Sequence, residues 1–432
     1  MKKYDQYKNS GVEWLGEIPE HWEVLSNKHI FKLNKNLVGK KSSEYDLLSL
    51  TLNGVIKRDM ENPQGKFPAE FDTYQEVKKG DFIFCLFDVE ETPRTVGLSD
   101  FDGMITGAYT VMQVNNSFDN SFLYYFYLNL DAGKRMKPLY TGLRNTISKD
   151  NFFAFKTFLP PLQEQSAIAN FLDDKTAKID QAITIKQKQI ELLKERRQIL
   201  IHKAVTRGLD ENVKLKDSGV EWIGEIPEHW EVKKLKFCMN GKLKYGANES
   251  GVEYNFNLPR YVRITDFGQD GKLSEEKKLS LTWEQGKDYL LKNGDILFAR
   301  SGATVGKTYQ FKTSMSIEEN YSFAGYLIKA EANENIILSD FLYLFTNSEI
   351  FDFWKAGIFN KATIENIGAD KYSQLMVITP PIKEQKEILL DFNSNNNKIA
   401  TAISLKEREI EKMKEYKMSL IDGVVTGKVR VF

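Results

Sequence analysis

SGVEWLGEIPEHWEV, residues 10–24, returns as SGVEWIGEIPEHWEV at residues 218–232, with Leu15 replaced by Ile223 as the sole difference. The copies lie 208 residues apart, far beyond the period of a solenoid or propeller repeat, so a whole domain has been duplicated. A second landmark agrees. Pro160-Pro161-Leu162-Gln163-Glu164-Gln165 comes back 220 residues later as Pro380-Pro381-Ile382-Lys383-Glu384-Gln385. Each half therefore runs from a shared opener through a divergent middle to a proline pair and a long helical pattern. One scaffold carrying two different surfaces is the simplest reading.

At 432 residues the chain has room for two cores, one in each half. Its 60 basic and 60 acidic residues cancel, which excludes bulk polycation attraction to nucleic acid but leaves room for a local basic face. Cys85 and Cys238 sit in apolar runs far apart in sequence and read as buried thiols of a cytoplasmic protein. His21, His29, His202 and His229 have no metal-ligand spacing. No apolar leader and no run of eighteen apolar residues occurs, so neither export nor membrane insertion is expected.

In the middles, short apolar runs alternate with turn residues, which predicts strand-rich α+β domains of roughly 150 residues. Gly80-Asp81-Phe82-Ile83-Phe84 and Gly294-Asp295-Ile296-Leu297-Phe298 each read as a turn entering a buried strand. Helices are expected around Phe122–Leu128 and Phe341–Phe345.

Beyond the proline pairs the period changes. From Leu162 to Arg207 there is neither proline nor glycine, and Ile179, Ile183, Ile190, Leu193, Leu200 and Ala204 fall on alternating heptad positions. The second half repeats them as Ile399, Ile403, Ile410, Met413, Leu420 and Val424. Even the flaws are shared: Lys186 and Arg197 interrupt the first stripe, Lys406 and Lys417 the second, at matching places. Such a helix could pack on its own domain, but two matching narrow stripes in a duplicated chain predict mutual, antiparallel pairing about a pseudo-two-fold axis. The interrupting bases are expected at the rim or against Glu191, Glu195, Glu411 and Glu415. About 30 paired residues would span about 45 Å, a geometry suited to reading two DNA half-sites from a single polypeptide.

These features resemble the specificity subunit of Type I restriction-modification systems. The resemblance rests on the repeated opener, the Pro-Pro-x-x-Glu-Gln junctions, and the helix endings Ala204-Val205-Thr206 and Val424-Val425-Thr426. It implies an α+β fold of two tandem mixed α/β target-recognition domains separated by two long helices that pair as an antiparallel coiled coil. The expected boundaries are 1–160 and 218–380 for the recognition domains, 161–208 and 381–427 for the helices, and 209–217 for a linker. It further implies a non-catalytic reader of bipartite double-stranded DNA. Two modification subunits using S-adenosylmethionine would methylate adenine, and restriction subunits would use ATP and Mg2+; no cofactor is expected on this chain.

The chemical motifs agree with a reader. An adenine methylase needs Asn or Asp before its Pro-Pro pair, whereas Leu159 and Thr379 stand there; these prolines suit a strand end and a helix start. Gly302-Ala303-Thr304-Val305-Gly306-Lys307-Thr308 imitates a phosphate loop, but has three residues between its glycines in place of four and continues into strand-like sequence. Arg300, Ser301, Thr304 and Lys307 are better read as DNA contacts, since arginine and lysine suit guanine edges and phosphates. The first middle offers Lys57, Arg58, Arg94, Thr95, Arg144 and Asn145 as further candidates, and the second offers Arg260, Arg263, Asn360 and Lys361. An ordinary solvated surface is the competing reading of each. Trp14, Trp22, Trp222 and Trp230 belong to the shared opener and cannot tell two half-sites apart, so packing or partner docking is expected of them. Residues 174–208 carry nine basic against four acidic side chains, which suggests a partner-facing helix surface. The rival readings are a duplicated protein-interaction adaptor and a stand-alone nuclease or ATPase. Salt sensitivity of binding would separate the first, metal- or nucleotide-dependent turnover the second.

Overall fold

Gly11 and Gly16 adopt φ of 72° and 69°, and Gly219 and Gly224 adopt 74° and 73°, left-handed conformations that favour glycine. With these turns, Tyr7–Asn9 pairs antiparallel with Glu17–Pro19, and Leu215–Asp217 with Glu225–Pro227. The computed structural model describes residues 2–60, 70–268, 271–302, 304–359 and 366–431. It divides into two compact units, Met1–Lys186 with Glu407–Phe432, and Gln187–Lys406.

The two sequence landmarks are parts of one joint. In unit 1 the fully buried Trp22 donates its indole N–H to Glu164 Oε1 at 3.1 Å, and His21 Nε2 lies 2.7 Å from Glu164 Oε2. In unit 2 Trp230 and His229 hold Glu384, both through Oε2, at 3.0 and 2.8 Å. The neighbouring glutamines complete the joint: Gln165 bonds Pro160 O and accepts from Asp119 N, the residue capping the helix Asn120–Ala132. Gln385 does likewise with Pro380 O and Leu338 N, ahead of the helix Ser339–Thr346. The tryptophans of the opener at 22 and 230 are therefore packing residues.

Behind each joint the same strands recur. Glu23–Ser26 pairs with Lys156–Leu159, and Glu231–Lys234 with Met376–Thr379, the strands that end at the proline pairs. Unit 1 holds a four-stranded antiparallel sheet ordered Phe31–Leu33, Thr110–Val114, Phe82–Phe84, Val96–Leu98. Its counterpart in unit 2 runs Lys244–Tyr245, Leu327–Ala330, Ile296–Ala299, Thr308–Gln310. Around these sheets the middles diverge. Unit 1 adds the hairpin Leu48–Thr51/Gly54–Lys57, whereas unit 2 adds a second four-stranded sheet in which Arg260–Val262 runs parallel to Tyr321–Phe323.

The two long helices are Leu162–Thr206 and Ile382–Val425. Within unit 1, Ile168, Ala169 and Leu172 of the first share a core with Leu420, Ile421, Val424 and Val425 of the second. Within unit 2, Ile201, Ala204 and Val205 share a core with Ile388. The pairing is antiparallel, because Asp180 meets Lys417 at 2.6 Å while Lys186, further on, meets Glu409 at 2.6 Å. Of the expected seam, Ile190, Ile399, Ile410 and Leu420 are buried; Ile179, Ile183, Leu193, Leu200, Ile403 and Met413 are half-buried.

Of the two placements open to the interrupting lysines, the half-buried edge of the helix contact is the one observed. Lys186, Lys417 and Lys406 reach across to Glu409, Asp180 and Gln189, not to Glu191, Glu195, Glu411 or Glu415. Those four glutamates are exposed on the outer faces, out of line with lysines that are half-buried at the helix contact. Cys85 and Cys238 are buried free thiols. Burial raises both, Cys238 to about 11, so they remain protonated and unreactive at neutral pH.

Candidate nucleic-acid interface

In both units the chain leaves the central buried strand into a loop that is tied to the segment ahead of the proline pair. Ile147 N donates to Leu86 O at 2.8 Å in unit 1, and Ile367 N to Arg300 O at 2.9 Å in unit 2. The backbone frame is duplicated while the residue at the matching position is not: leucine in one unit, arginine in the other.

In unit 1 three segments converge there. Asp88 N and Val89 N donate to Arg144 O and Asn145 O at 2.9 and 3.4 Å, joining the loop to the tip of the hairpin Tyr140–Thr141/Thr146–Ile147. Arg94 Nη2 donates to Leu52 O at 3.0 Å, which adds the turn of the hairpin Leu48–Thr51/Gly54–Lys57. Arg94, Arg144 and Asn145, three of the expected contacts, are thus brought into one cluster. Lys57 is exposed, paired with Asp46 at 2.5 Å and lying over the Phe101 ring at 5.4 Å. Arg58 follows it, its backbone N–H on Leu47 O. Thr95 is a correction: it is fully buried, and its N–H donates to Asp131 Oδ2, because it lies just ahead of the strand Val96–Leu98 with its carbonyl accepting from Cys85 N.

In unit 2 the equivalent loop is a tight hairpin, closed by Ala299 N to Lys307 O at 2.8 Å and Gly306 N to Ala299 O at 2.9 Å. Thr308–Gln310 continues it as a strand paired with Ile296–Ala299, so no helix N-terminus follows the glycines to receive a phosphate. Arg300 is held on three sides. Its N–H donates to Tyr326 O, its guanidinium lies 5.1 Å from the centre of the Tyr245 ring, and its Nε reaches Asn366 Oδ1 at 3.4 Å. Ser301 forms a backbone bridge with Asn366. Thr304 and Lys307 are exposed, with Lys307 Nζ on Phe267 O at 2.7 Å.

Two arginines of unit 2 are taken up by other groups, one of them buried. Arg260 is 2% exposed, its guanidinium bound by Glu275 at 2.7 Å, Glu318 at 3.3 Å and Ser274 O. Burial would raise the Glu318 carboxyl, but hydrogen bonds from Tyr321, Lys278 and Tyr254 and the Arg260 charge outweigh it and hold it at about 2. Arg260 is therefore an internal ion-pair residue, since the parallel strand it occupies is covered on both faces. Arg263 is occupied by Asp266 at 2.8 Å and by Lys277 O. Asn360 and Lys361 lie outside the described residues.

Sequence reasoning missed Tyr245, Tyr326 and Leu143. Tyr245 and Tyr326 are 42% and 67% exposed beside Arg300, a basic group interleaved with aromatics as nucleic-acid surfaces use. Their signal was present in each case as a tyrosine next to glycine, in Tyr245-Gly246 and Gly325-Tyr326. Among the described residues no cluster of three or more His, Cys, Asp or Glu could hold a metal ion. No described helix is long and apolar enough to cross a membrane.

Comparison with known proteins places these features. The family model described as the Type I restriction modification DNA specificity domain matches residues 19–195 and again 227–411. The chain is 28% identical over 326 residues to the Type I restriction enzyme MjaVIII specificity subunit of Methanocaldococcus jannaschii, covering 74% of this chain and 72% of that protein. It is 25% identical to the putative MjaX specificity subunit of the same organism, over 96% of both chains. Similarity to the Escherichia coli EcoKI specificity subunit is 25%, over 87% and 82%. A solved chain from work on assembly and conformational transition of the type I R-M system shares the fold, with a TM-score of 0.71, 14% identity, and coverage of 95% of this chain and 99% of that one.

Proposed function

Because the chain belongs to the family of Type I restriction-modification DNA specificity subunits, we propose that it is the sequence reader of such a system and carries out no chemistry itself. Each unit reads one half of a bipartite target in double-stranded DNA, and the paired helices set the gap and dock modification subunits. Methyl transfer from S-adenosylmethionine, and cleavage driven by ATP and Mg2+, belong to two modification subunits and to restriction subunits bound to this chain in the cytoplasm.

The observation that carries this reading is the duplicated frame with unlike residues at one place, Leu86 against Arg300. The shared frame holds a reading surface at the same place in each unit; unit 2 offers Arg300 there, whereas Leu86 is buried in the core of unit 1 and leaves the reading to the side chains around it. Arg300, braced by Tyr245 and Asn366, loses little freedom on binding and can offer a guanidinium fork to guanine O6 and N7, a contact worth about 1–3 kcal/mol of discrimination. In unit 1 the cluster of Arg94, Arg144 and Asn145 fills the corresponding role; asparagine suits adenine N6 and N7.

The test is a methylome of a host expressing the complete system, before and after residues 26–159 are exchanged for the matching middle of a relative. Two short blocks separated by an unspecified gap are expected, with the exchange altering one block. A continuous motif, or a change in both blocks, would overturn the reading.

A further inference from the structure

At the tip of the unit 1 hairpin, Gly142-Leu143-Arg144-Asn145 points a leucine into solvent. Leu143 is 105% exposed, more than any other large apolar side chain among the described residues. A hairpin tip ordinarily carries polar or small residues, so this leucine serves neither the turn nor a core.

The backbone beneath it is fixed. Gly142 and Asn145 adopt φ of 69° and 44°, and Asp88 on the facing loop adopts 46°, left-handed turn conformations that glycine, asparagine and aspartate accept most readily. Both Arg144 O and Asn145 O are bonded to that loop, and Thr141 Oγ1 donates to Thr146 O at 2.9 Å across the hairpin. Below, Lys134 Nζ ties Val89 O, Thr92 O and Asp131 together at 3.1, 2.8 and 3.1 Å. An anchored tip of this kind cannot fold its leucine back.

Charges around the tip are mixed. Arg144 and Arg94 are accompanied by Asp88, Glu91 and the Glu90–Lys137 pair. A mixed patch makes a poor phosphate cushion, so contact here has to be close and directed. Resting on the DNA-reading role given above, we propose that Leu143 is an apolar wedge that enters the base stack of the half-site read by unit 1, with Arg144 and Asn145 on the groove edges beside it. Wedging apolar side chains unstack a base step and kink the duplex. The step entered is pyrimidine–purine, the kind that unstacks most readily.

The experiment uses the full-length chain assembled with its modification subunits, without methyl donor, on duplexes enriched by that complex from a randomised library. 2-Aminopurine replaces each adenine of the enriched duplex in turn, and fluorescence reports unstacking. Target adenines flipped out by the modification subunits brighten in wild type and variants alike; beyond these, wild type is expected to brighten one further position within one half-site, Leu143→Ala should cut that further rise about fivefold, and Leu143→Met should retain it, as an apolar wedge requires. Because Leu143 packs on nothing, its thermal midpoint should match wild type. An unchanged further rise in Leu143→Ala, or no bright position with wild type beyond the target adenines, overturns the wedge and leaves DNA reading intact. So does a Leu143→Ala complex that loses modification subunits in the absence of DNA, which would make the tip a protein contact. Failure of wild type to enrich any duplex overturns the DNA reading and the wedge with it.

Discussion

Arg260 and Arg300 are the same residue type, and composition alone gives them the same role. The first is sealed in an ion-pair cluster with Glu275 and Glu318; the second sits at a loop with its guanidinium against Tyr245. What separates them is the second sheet of unit 2, built from strands of two to three residues whose partners are up to about sixty residues away and leave no periodic signal in the sequence. Replacing Arg300 by alanine is expected to cost about 1–3 kcal/mol of binding at the half-site read by unit 2 and to relax base preference there, measured by competition among single-base variants of the enriched duplex. Glu318 carries a stability prediction. Its folded carboxyl lies at about 2, below the ordinary 4.5, so its contribution is fully present above that ordinary value and fades as pH falls through 2. Glu318→Ala leaves Arg260 buried without one of its two carboxylate partners and is expected to destabilise unit 2 by about 3–5 kcal/mol at pH 7. The deficit should shrink on acidification, as read by denaturant midpoints.

Among the elements, the long helices were the most legible, because a heptad stripe with matching flaws is written twice along uninterrupted sequence. The landmarks were visible as repeats, yet their meaning was not. Nothing in SGVEWLGEIPEHWEV says that its tryptophan will bond a glutamate 142 residues later, a relation that only closing the chain reveals. The lysine partners stayed open for a related cause: heptad position gives the face of a helix but not the stagger of its neighbour. The joint itself can be tested. Glu164→Gln retains an acceptor for one donor while removing the charge that Tyr4 OH, Trp22 Nε1 and His21 share, at 2.6, 3.1 and 2.7 Å. A loss of about 1–3 kcal/mol in unit 1 is expected. Glu384→Gln should cost less, since that side chain is 24% exposed and is held by His229 and Trp230 alone of the corresponding three groups. Equal losses, read by thermal unfolding, would contradict a role for Tyr4.

For the molecule as a whole, duplication followed by divergence of the middles gives one polypeptide two dissimilar reading faces on a common frame, so its target need not be a palindrome. With no net charge to hold it on DNA indiscriminately, affinity must come from both faces engaging together, as linked binding sites do when geometry permits. The most direct measurement is binding of the complex to enriched duplexes whose two blocks are moved apart or together by about half a helical turn, roughly 5 base pairs. Helices that fix the gap predict loss of specific binding at the altered spacing with both blocks intact. Undiminished binding at every spacing would contradict the account.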